Sequence, residues 1–293
     1  LERLYRFALE NLEKAPSKVK DVSLTLTDKW MLSRLQEHIR MATEAMDKLA
    51  VRKAIHSALY GLDQDFQCYL RRIVDQQEVS TRREAINKVV FDVLDAQVRM
   101  LAPVTPHICE ELWEKMGGKG FVSLASWPTP DLVKVDIKAE ENEALIMNTL
   151  EDTLNIVKAT GMTPKKICYY VAASWKWHTY LKALEKAVSA KVVQSELMKE
   201  LMKDHELRAK AEQVAKFVSQ IIEEVNKISD ERKQRQLQVG VIDENQALKE
   251  AQAFFKRELN AEIHVYSEED SKRYDPKKRA YLSKPYRPAI YME

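Results

Sequence analysis

Between Lys272 and Arg287 the chain carries seven basic residues, Lys272, Arg273, Lys277, Lys278, Arg279, Lys284 and Arg287, against one acidic residue, Asp275, with Tyr274, Tyr281 and Tyr286 interleaved. Cations neutralise phosphates and aromatic faces stack on unpaired bases. The combination points to a nucleic acid, above all to RNA met at unstacked loops. The plainer alternative is a disordered, solvated arm. Against it, Pro285-Tyr-Arg-Pro-Ala-Ile-Tyr-Met292 is apolar enough to dock as a strand.

Two further basic clusters compete with the tail. Arg71 and Arg72 end one helix, and Arg82 and Arg83 open the next. Such an arginine corner can grip phosphate oxygens. Arg71 and Arg72 also suit a helix C-terminus by complementing its dipole, whereas Arg82 and Arg83 sit in a first turn, where positive charge is unfavourable. The second cluster is Lys165, Lys166, Lys176, Lys182 and Lys186 beside Trp175 and Trp177, expected as a half-buried rim rather than a stacking platform.

Other chemistry is missing from the motifs. There is no glycine-rich phosphate loop and no Walker motif, and no H-E-x-x-H or G-x-S-x-G. The histidines stand singly. His107 lies in a first helical turn as a joint residue, and His38 and His56 receive no role. Glu110/Glu111 and Glu140/Glu141 are sequence neighbours, so on a helix they point apart and make poor acid–base couples. Cys68, Cys109 and Cys168 lie far apart, with no metal-ligand spacing and no disulfide framework, and read as buried thiols of a reducing cytosol. No catalytic, cofactor-binding or metal-binding residue is expected.

Composition adds bounds. The 47 basic and 45 acidic residues nearly cancel, leaving +2 over 293 residues, so any nucleic-acid surface must come from local clustering. With 45% hydrophobic residues the chain can build real cores, and only six glycines read as predominantly helical. No apolar run approaches the roughly 18–20 residues of a membrane span. Leu1-Glu2-Arg3-Leu4 offers no initiator Met and no signal peptide, so the chain is expected to be part of a longer protein. The cysteines point to the cytoplasm, and a monomer is expected.

These residues need elements to hold them. Leu4, Phe7, Ala8 and Leu12 mark a first helix ended by Pro16, with a loop over 17–27. Thr27 or Asp28 is expected to cap the next, with a stripe Leu32, Leu35, Ile39, Ala42, Met46 and Leu49. A second stripe, Ile55, Leu59, Leu62, Phe66, Tyr69 and Ile73, packs antiparallel after a bend near 47–51. Thr81-x-x-Glu84 is a capping box for a helix running to Pro103. Leu101-Ala-Pro-Val-Thr-Pro-His-Ile-Cys-Glu-Glu-Leu-Trp113 is a helix–corner–helix joint: Thr105 can cap, Pro106 suits the first helical position, and Glu110 and Glu111 favour the early turns. That helix stops at Gly117-Gly118. Phe121–Trp127 is expected to be extended, and Pro128 with Pro130 to form a hinge.

A solvated, acidic-led helix follows from about 139 to 159, stopped by Gly161. Lys165–Ala173 reads as a buried strand, with helices at about 177–189, 195–203, 206–228 and 243–259 and a second strand over Ala261–Tyr266. The fold class is thus mainly α: an up-and-down helical bundle over 1–130, a linker and connecting helix over 131–161, and a small α/β C-terminal domain over 162–293.

The bundle resembles the anticodon-binding domain of class I aminoacyl-tRNA synthetases of the leucine/isoleucine/valine group. Asp28-Lys-Trp-Met-Leu-Ser-Arg-Leu35 is similar to the family's D-x-W-x-L-x-R-L opening. Val51-Arg-Lys-Ala-Ile-His-Ser-Ala-Leu-Tyr60 followed by Phe66-x-x-Tyr69-x-Arg71 resembles its second helix. Leu101–Trp113, with Phe121-Val-Ser-Leu-Ala-Ser-Trp-Pro128, resembles its closing segment. The region ending in Pro288-Ala-Ile-Tyr-Met-Glu293 is similar to the C-terminal extension of archaeal leucyl-type members. The isoleucyl and valyl members, and a free-standing RNA- or protein-binding module, are the alternatives.

The resemblance implies a tRNA partner, tRNA(Leu), whose long variable arm the C-terminal region recognises. It places ATP and Mg in a nucleotide-binding domain whose H-x-G-H and K-M-S-K-S signatures are absent here. On charge and position, the tRNA-binding candidates are Arg71, Arg72, Arg82, Arg83, Lys277, Lys278, Arg279, Lys284, Tyr286, Arg287, Ile290 and Glu293.

Overall fold

The structure, a computed structural model, describes residues 2–12, 22–74 and 80–293. The chain divides into two compact units, Leu1–Glu143 and Ala144–Glu293. The expected stop at Pro16 and the Thr81 capping side chain lie outside the described residues.

The first unit is a bundle of α1 (Glu2–Leu12), α2 (Leu26–Asp47), α3 (Val51–Ile55), α4 (Leu62–Ile73), α5 (Ser80–Leu101) and α6 (Pro106–Lys115). A π-helical turn, His56–Gly61, joins α3 to α4 without a break. The start of α2 falls earlier than Thr27 or Asp28. Thr25 is the cap and Asp28 the third helical residue of a capping box, whose carboxylate accepts from Thr25 N at 2.8 Å. The α2 stripe is buried at Leu32, Leu35, Ile39 and Ala42, but Leu49 is 86% exposed. It has left the helix, taking the left-handed position of a Schellman turn with φ 53°. Leu49 N donates to Met46 O at 2.9 Å and Ala50 N to Ala45 O at 2.8 Å. Glycine is usual there, and a side chain costs about 1–2 kcal/mol.

Pro106 opens α6 as expected, but Thr105 does not cap it. Its hydroxyl donates back to Leu101 O at 3.3 Å. Glu110 works at longer range than a dipole: its carboxylate accepts from Val122 N (2.7 Å) and Ser123 N (3.2 Å). It thereby holds a 3-10 turn, Val122–Leu124, inside the segment expected to be extended. The Trp113 ring lies so close to Gly118 that a Cβ there would fall 2.2 Å from it. Trp127 Nε1 donates to Thr43 Oγ1 (2.8 Å), Asp131 N to Gln36 Oε1 (2.8 Å) and Asp136 N to Ser33 Oγ (3.0 Å). These bonds strap the segment along α2, so Pro128 and Pro130 sit within the first unit. The division falls farther along, inside α7 (Ile137–Thr160).

Helix α7 ends at Gly161, φ 68°, as its spacing predicts, but it is solvated mainly in its second half, where Glu151, Leu154, Asn155 and Lys158 are exposed. Glu141, Glu143, Leu145, Ile146, Thr149, Leu150 and Thr153 are all buried. The acidic lead that suggested water instead supplies a partner for a buried cation.

The second unit wraps α8 (Ser174–Ser189), α9 (Gln194–Leu201), α10 (His205–Ala209), α11 (Ala211–Lys227), α12 (Asp230–Val239), α13 (Glu244–Glu250) and α14 (Gln252–Leu259) around a mixed sheet of β1 (Lys166–Val171), β2 (Glu262–Ser267) and β3 (Ala289–Met292). The expected helices over 206–228 and 243–259 are each broken in two, at Lys210 and Ala251, and α12 was not expected. Strand order is β2-β1-β3, with β1 parallel to β2 (Ile167↔Ile263) and antiparallel to β3 (Tyr169↔Ile290). The central strand is buried on both faces, which explains its unbroken apolar run. Ile167, Tyr169 and Val171 face one core, while Cys168 and Tyr170 face another with Ala280 and Ala289. The end of the chain is therefore a sheet strand, as the apolar character of Pro285–Met292 implied.

Candidate nucleic-acid interface

The tail reaches its position through local bonds that sort its side chains into inward and outward sets. Asp275 accepts from Arg279 N (2.7 Å) and Ala280 N (3.0 Å), which fixes the start of a 3-10 turn, Ala280–Leu282. The cap leaves Lys277, Lys278 and Arg279 exposed. Behind the turn lies Lys176, with a side chain 3% exposed. Its ammonium donates to Tyr281 O (2.7 Å) and Ser283 O (2.8 Å) and pairs with Glu268 (2.8 Å). Burial lowers its pKa. Four residues then reverse the chain, with mutual Lys284 and Arg287 backbone bonds at 3.0 and 2.9 Å. Tyr286 takes the left-handed position at φ 63°. Its N donates to Glu244 at 2.6 Å.

Tyr286 is consequently not a stacking platform. Its ring is packed against Trp177 (centroids 5.0 Å) and Tyr180 (6.2 Å). Lys284 reaches Glu224 at 2.7 Å. Arg287 lies 3.4 Å from Asp152 with its side chain 66% exposed. Ile290 is half-buried on β3. Glu293 closes the sheet edge: its carboxylate accepts from Tyr274 OH (2.8 Å) and Tyr291 OH (3.0 Å) and lies 3.4 Å from Lys166. These bonds hold the carboxyl below its usual pKa, the Tyr274 hydroxyl first among them.

A cleft of about 370 Å³ opens where this tail passes α7. Asp152, Asn155, Ile156 and Ala159 of α7 line one side, and Arg279, Leu282, Arg287, Pro288, Ala289 and Ile290 the other. Its walls are largely apolar, with an amide and a carboxylate facing two guanidinium groups. That suits a flat, partly apolar group carrying an anion, as an unstacked nucleotide does. The structure thus brings Arg279, Arg287 and Ile290 together. Asp152, Asn155, Ile156 and Leu282 were missed by sequence reasoning. The available signal was a pair of apolar residues, Leu154 and Ile156, left exposed on the second half of α7.

The arginine corner separates into two kinds. Arg72 is 4% exposed and bonds Glu143 at 2.8 Å, both side chains being buried. Arg82 makes a bidentate contact with Asp28, which also accepts from Tyr69 OH at 2.7 Å. Both arginines are thus engaged by carboxylates of the first unit, Arg72 buried and Arg82 with 13% of its side chain exposed. Arg71 and Arg83 are exposed. A third, half-buried pair, Arg34 with Asp65 at 2.7 Å, is joined by His38 at 3.0 Å. Burial opposes the Asp65 charge, yet the His38 bond and the Arg34 charge hold its pKa below the usual range. In the lysine cluster Lys176 and Trp177 are buried, while Lys182 and Lys186 pair with Glu185 and Glu200. Cys109 and Cys168 are buried thiols and Cys68 is half-buried, its thiol pushed up to about 12 by burial.

Among the described residues no group of three or more His, Cys, Asp or Glu could hold a metal. No described helix is long and apolar enough to cross a membrane.

Residues 28–168 match the family described as the anticodon-binding domain of tRNA ligase. The chain is 36% identical to the leucine–tRNA ligase of Methanococcoides burtonii, over 100% of this chain and 29% of that protein. It is likewise 36% identical to that of Pyrococcus abyssi, over 100% and 28%. The chain therefore spans less than a third of the length of these curated relatives. A crystal structure of the ternary complex of Agrobacterium radiobacter K84 agnB2 LeuRS-tRNA-LeuAMS overlaps 59% of this chain and 18% of that one, at 20% identity and a TM-score of 0.37. That overlap is too loose to carry geometry across.

Proposed function

We propose that the chain belongs to the tRNA-ligase family that carries this anticodon-binding domain and is the tRNA-docking portion of a leucine–tRNA ligase. The observation that carries this reading is similarity over the whole chain to archaeal leucine–tRNA ligases, extending past the bundle through the tail. In the whole ligase, ATP and Mg serve the joining of leucine to tRNA in a nucleotide-binding domain. This portion works as part of a cytoplasmic monomer and positions the tRNA.

The division of labour follows the side chains. The bundle supports the elbow and inner arm of the tRNA, with Arg71 and Arg83 placed to meet phosphate. Arg72 and Arg82 serve the fold. In the second unit Lys277, Lys278 and Arg279 neutralise phosphates of the long variable arm. An unstacked base enters the cleft, with Ile290 and Leu282 against its face and Arg279 and Arg287 on its phosphate. Glu293, fixed by Tyr274 and Tyr291, accepts from a base at the sheet edge.

Filter binding to purified leucine, isoleucine and valine tRNAs tests this. Tightest binding to leucine tRNA is expected, and equal weak binding to all three would sink the leucine assignment and favour an isoleucyl or valyl relative or a free-standing module. Because Ala289–Met292 is a sheet strand, truncating the tail would damage the fold. Arg287→Ala with Ile290→Ala is the cleaner probe, and it should narrow the preference for long-armed over short-armed tRNAs.

A further inference from the structure

The joint between α2 and α3 breaks three local rules within thirteen residues. Leu49 occupies a left-handed position that glycine would fill more easily, with its side chain 86% exposed. Arg52 and Lys53 lie in the first turn of the unbroken helical run that begins at Val51, where positive charge opposes the helix dipole. The run then passes through a π turn, a rare conformation found often at functional sites. Inside, that turn is fixed against α2. Ser57 Oγ lies 3.2 Å from His38 Nδ1 and donates to His38 O, and a Cβ on Gly61 would fall 2.8 Å from the His38 ring. Outside, it presents His56 and Tyr60, with rings 6.1 Å apart and Tyr60 63% exposed.

Helical spacing puts Arg52 and Lys53, His56 and Tyr60 on one outward face, and Lys48 adjoins it at the end of α2. All five are exposed, and the nearest acidic residue in sequence is Asp47. These five outward side chains lie outside the bundle core, unlike the Ser57, Ala58 and Gly61 side of the same turn. Local rules kept broken on a surface mark a site that does something else.

We propose that the Lys48–Tyr60 corner is a second RNA contact, in which Lys48, Arg52 and Lys53 neutralise backbone phosphates while Tyr60 and Leu49 receive an exposed base or ribose. Cations beside an exposed aromatic fit RNA better than an acidic protein surface, which needs no ring to stack on. This rests on the tRNA-docking reading above and adds to it a site that the basic-cluster pattern passed over.

The test uses the full chain and a leucine tRNA transcript, with affinity measured by filter binding across a salt series. For Lys48→Ala/Arg52→Ala/Lys53→Ala the slope of log affinity against log salt should flatten by about 2, at roughly 0.7–0.9 per lost phosphate contact. Tyr60→Ala should weaken binding about tenfold with the slope unchanged. Leu49→Gly separates a binding role from a structural one. It should weaken binding yet leave the thermal midpoint unchanged or higher, whereas a purely structural leucine would lower it. Unchanged affinity and slope in the triple variant, with wild type binding normally, overturns the corner and leaves the docking reading standing. Failure of wild type to bind the tRNA overturns both.

Discussion

The bundle and the tail use arginine and lysine in opposite senses. In the bundle Arg72 and Arg82 turn inward onto Glu143 and Asp28, carboxylates exposed by 4% and 0%. In the tail Lys277, Lys278, Arg279 and Arg287 stand in water. The buried pairs join segments 71 and 54 residues apart and so help define which helices meet. Each carries a desolvation cost that only its partner offsets. Of these exposed cations only Arg287 has a carboxylate beside its charged group among the described residues, Asp152 at 3.4 Å, and that pair is open to solvent. Clustering in sequence does not separate the two uses; what decides is whether a carboxylate from elsewhere in the chain arrives opposite.

The largest effect should come from breaking an inward pair. Arg72→Ala leaves Glu143 buried and unpaired, and should cost about 3–5 kcal/mol in denaturant unfolding. Arg72→Met with Glu143→Leu removes both charges and should come close to wild type. If the single and double variants are equally damaged, the pair is not what Arg72 contributes.

A carboxylate without a cation gives the next effect. Burial pushes Glu244 from 4.5 up to about 7. Between those values the native state holds a proton that the unfolded state releases, so stability falls as pH rises through the window. The fall amounts to about 3 kcal/mol across it. Glu244→Gln should flatten that slope in unfolding experiments between pH 4.5 and 7. An equal slope in the variant assigns the pH dependence to another group. Tyr69→Phe should cost less, about 1–3 kcal/mol by equilibrium unfolding, because buried Asp28 loses a hydroxyl donor while keeping Arg82.

Tail cations should give the smallest stability effects. Lys277→Ala, Lys278→Ala and Arg279→Ala should each move stability by less than about 0.5 kcal/mol, since they are exposed. A large loss of stability from any of them would erase the contrast with the bundle.

Local signals were read well. Pro106, Gly161, the strand around Tyr169 and the docking of the last eight residues all follow from propensity and pattern, because each depends on neighbours within a turn or two. Pairing at long range was not readable. Nothing beside Arg72 announces Glu143, and nothing beside Arg82 announces Asp28. Helix α12 escaped because Leu237 is nearly its only large apolar residue before Val239, so it lacks a stripe. Its one marker was Ser229 ahead of Asp230 and Glu231, a cap followed by first-turn acids. The cleft was half visible: Arg279, Arg287 and Ile290 stood out by type, but the α7 wall lies more than a hundred residues away in the chain.

The contrast is tested most directly by the salt dependence of leucine tRNA binding to Lys277→Ala/Lys278→Ala/Arg279→Ala beside wild type. With the tail cations on RNA phosphates, the slope should flatten by about 2 while the unfolding midpoint stays in place. The same slope in both proteins would contradict it and leave the tail as ordinary solvated surface.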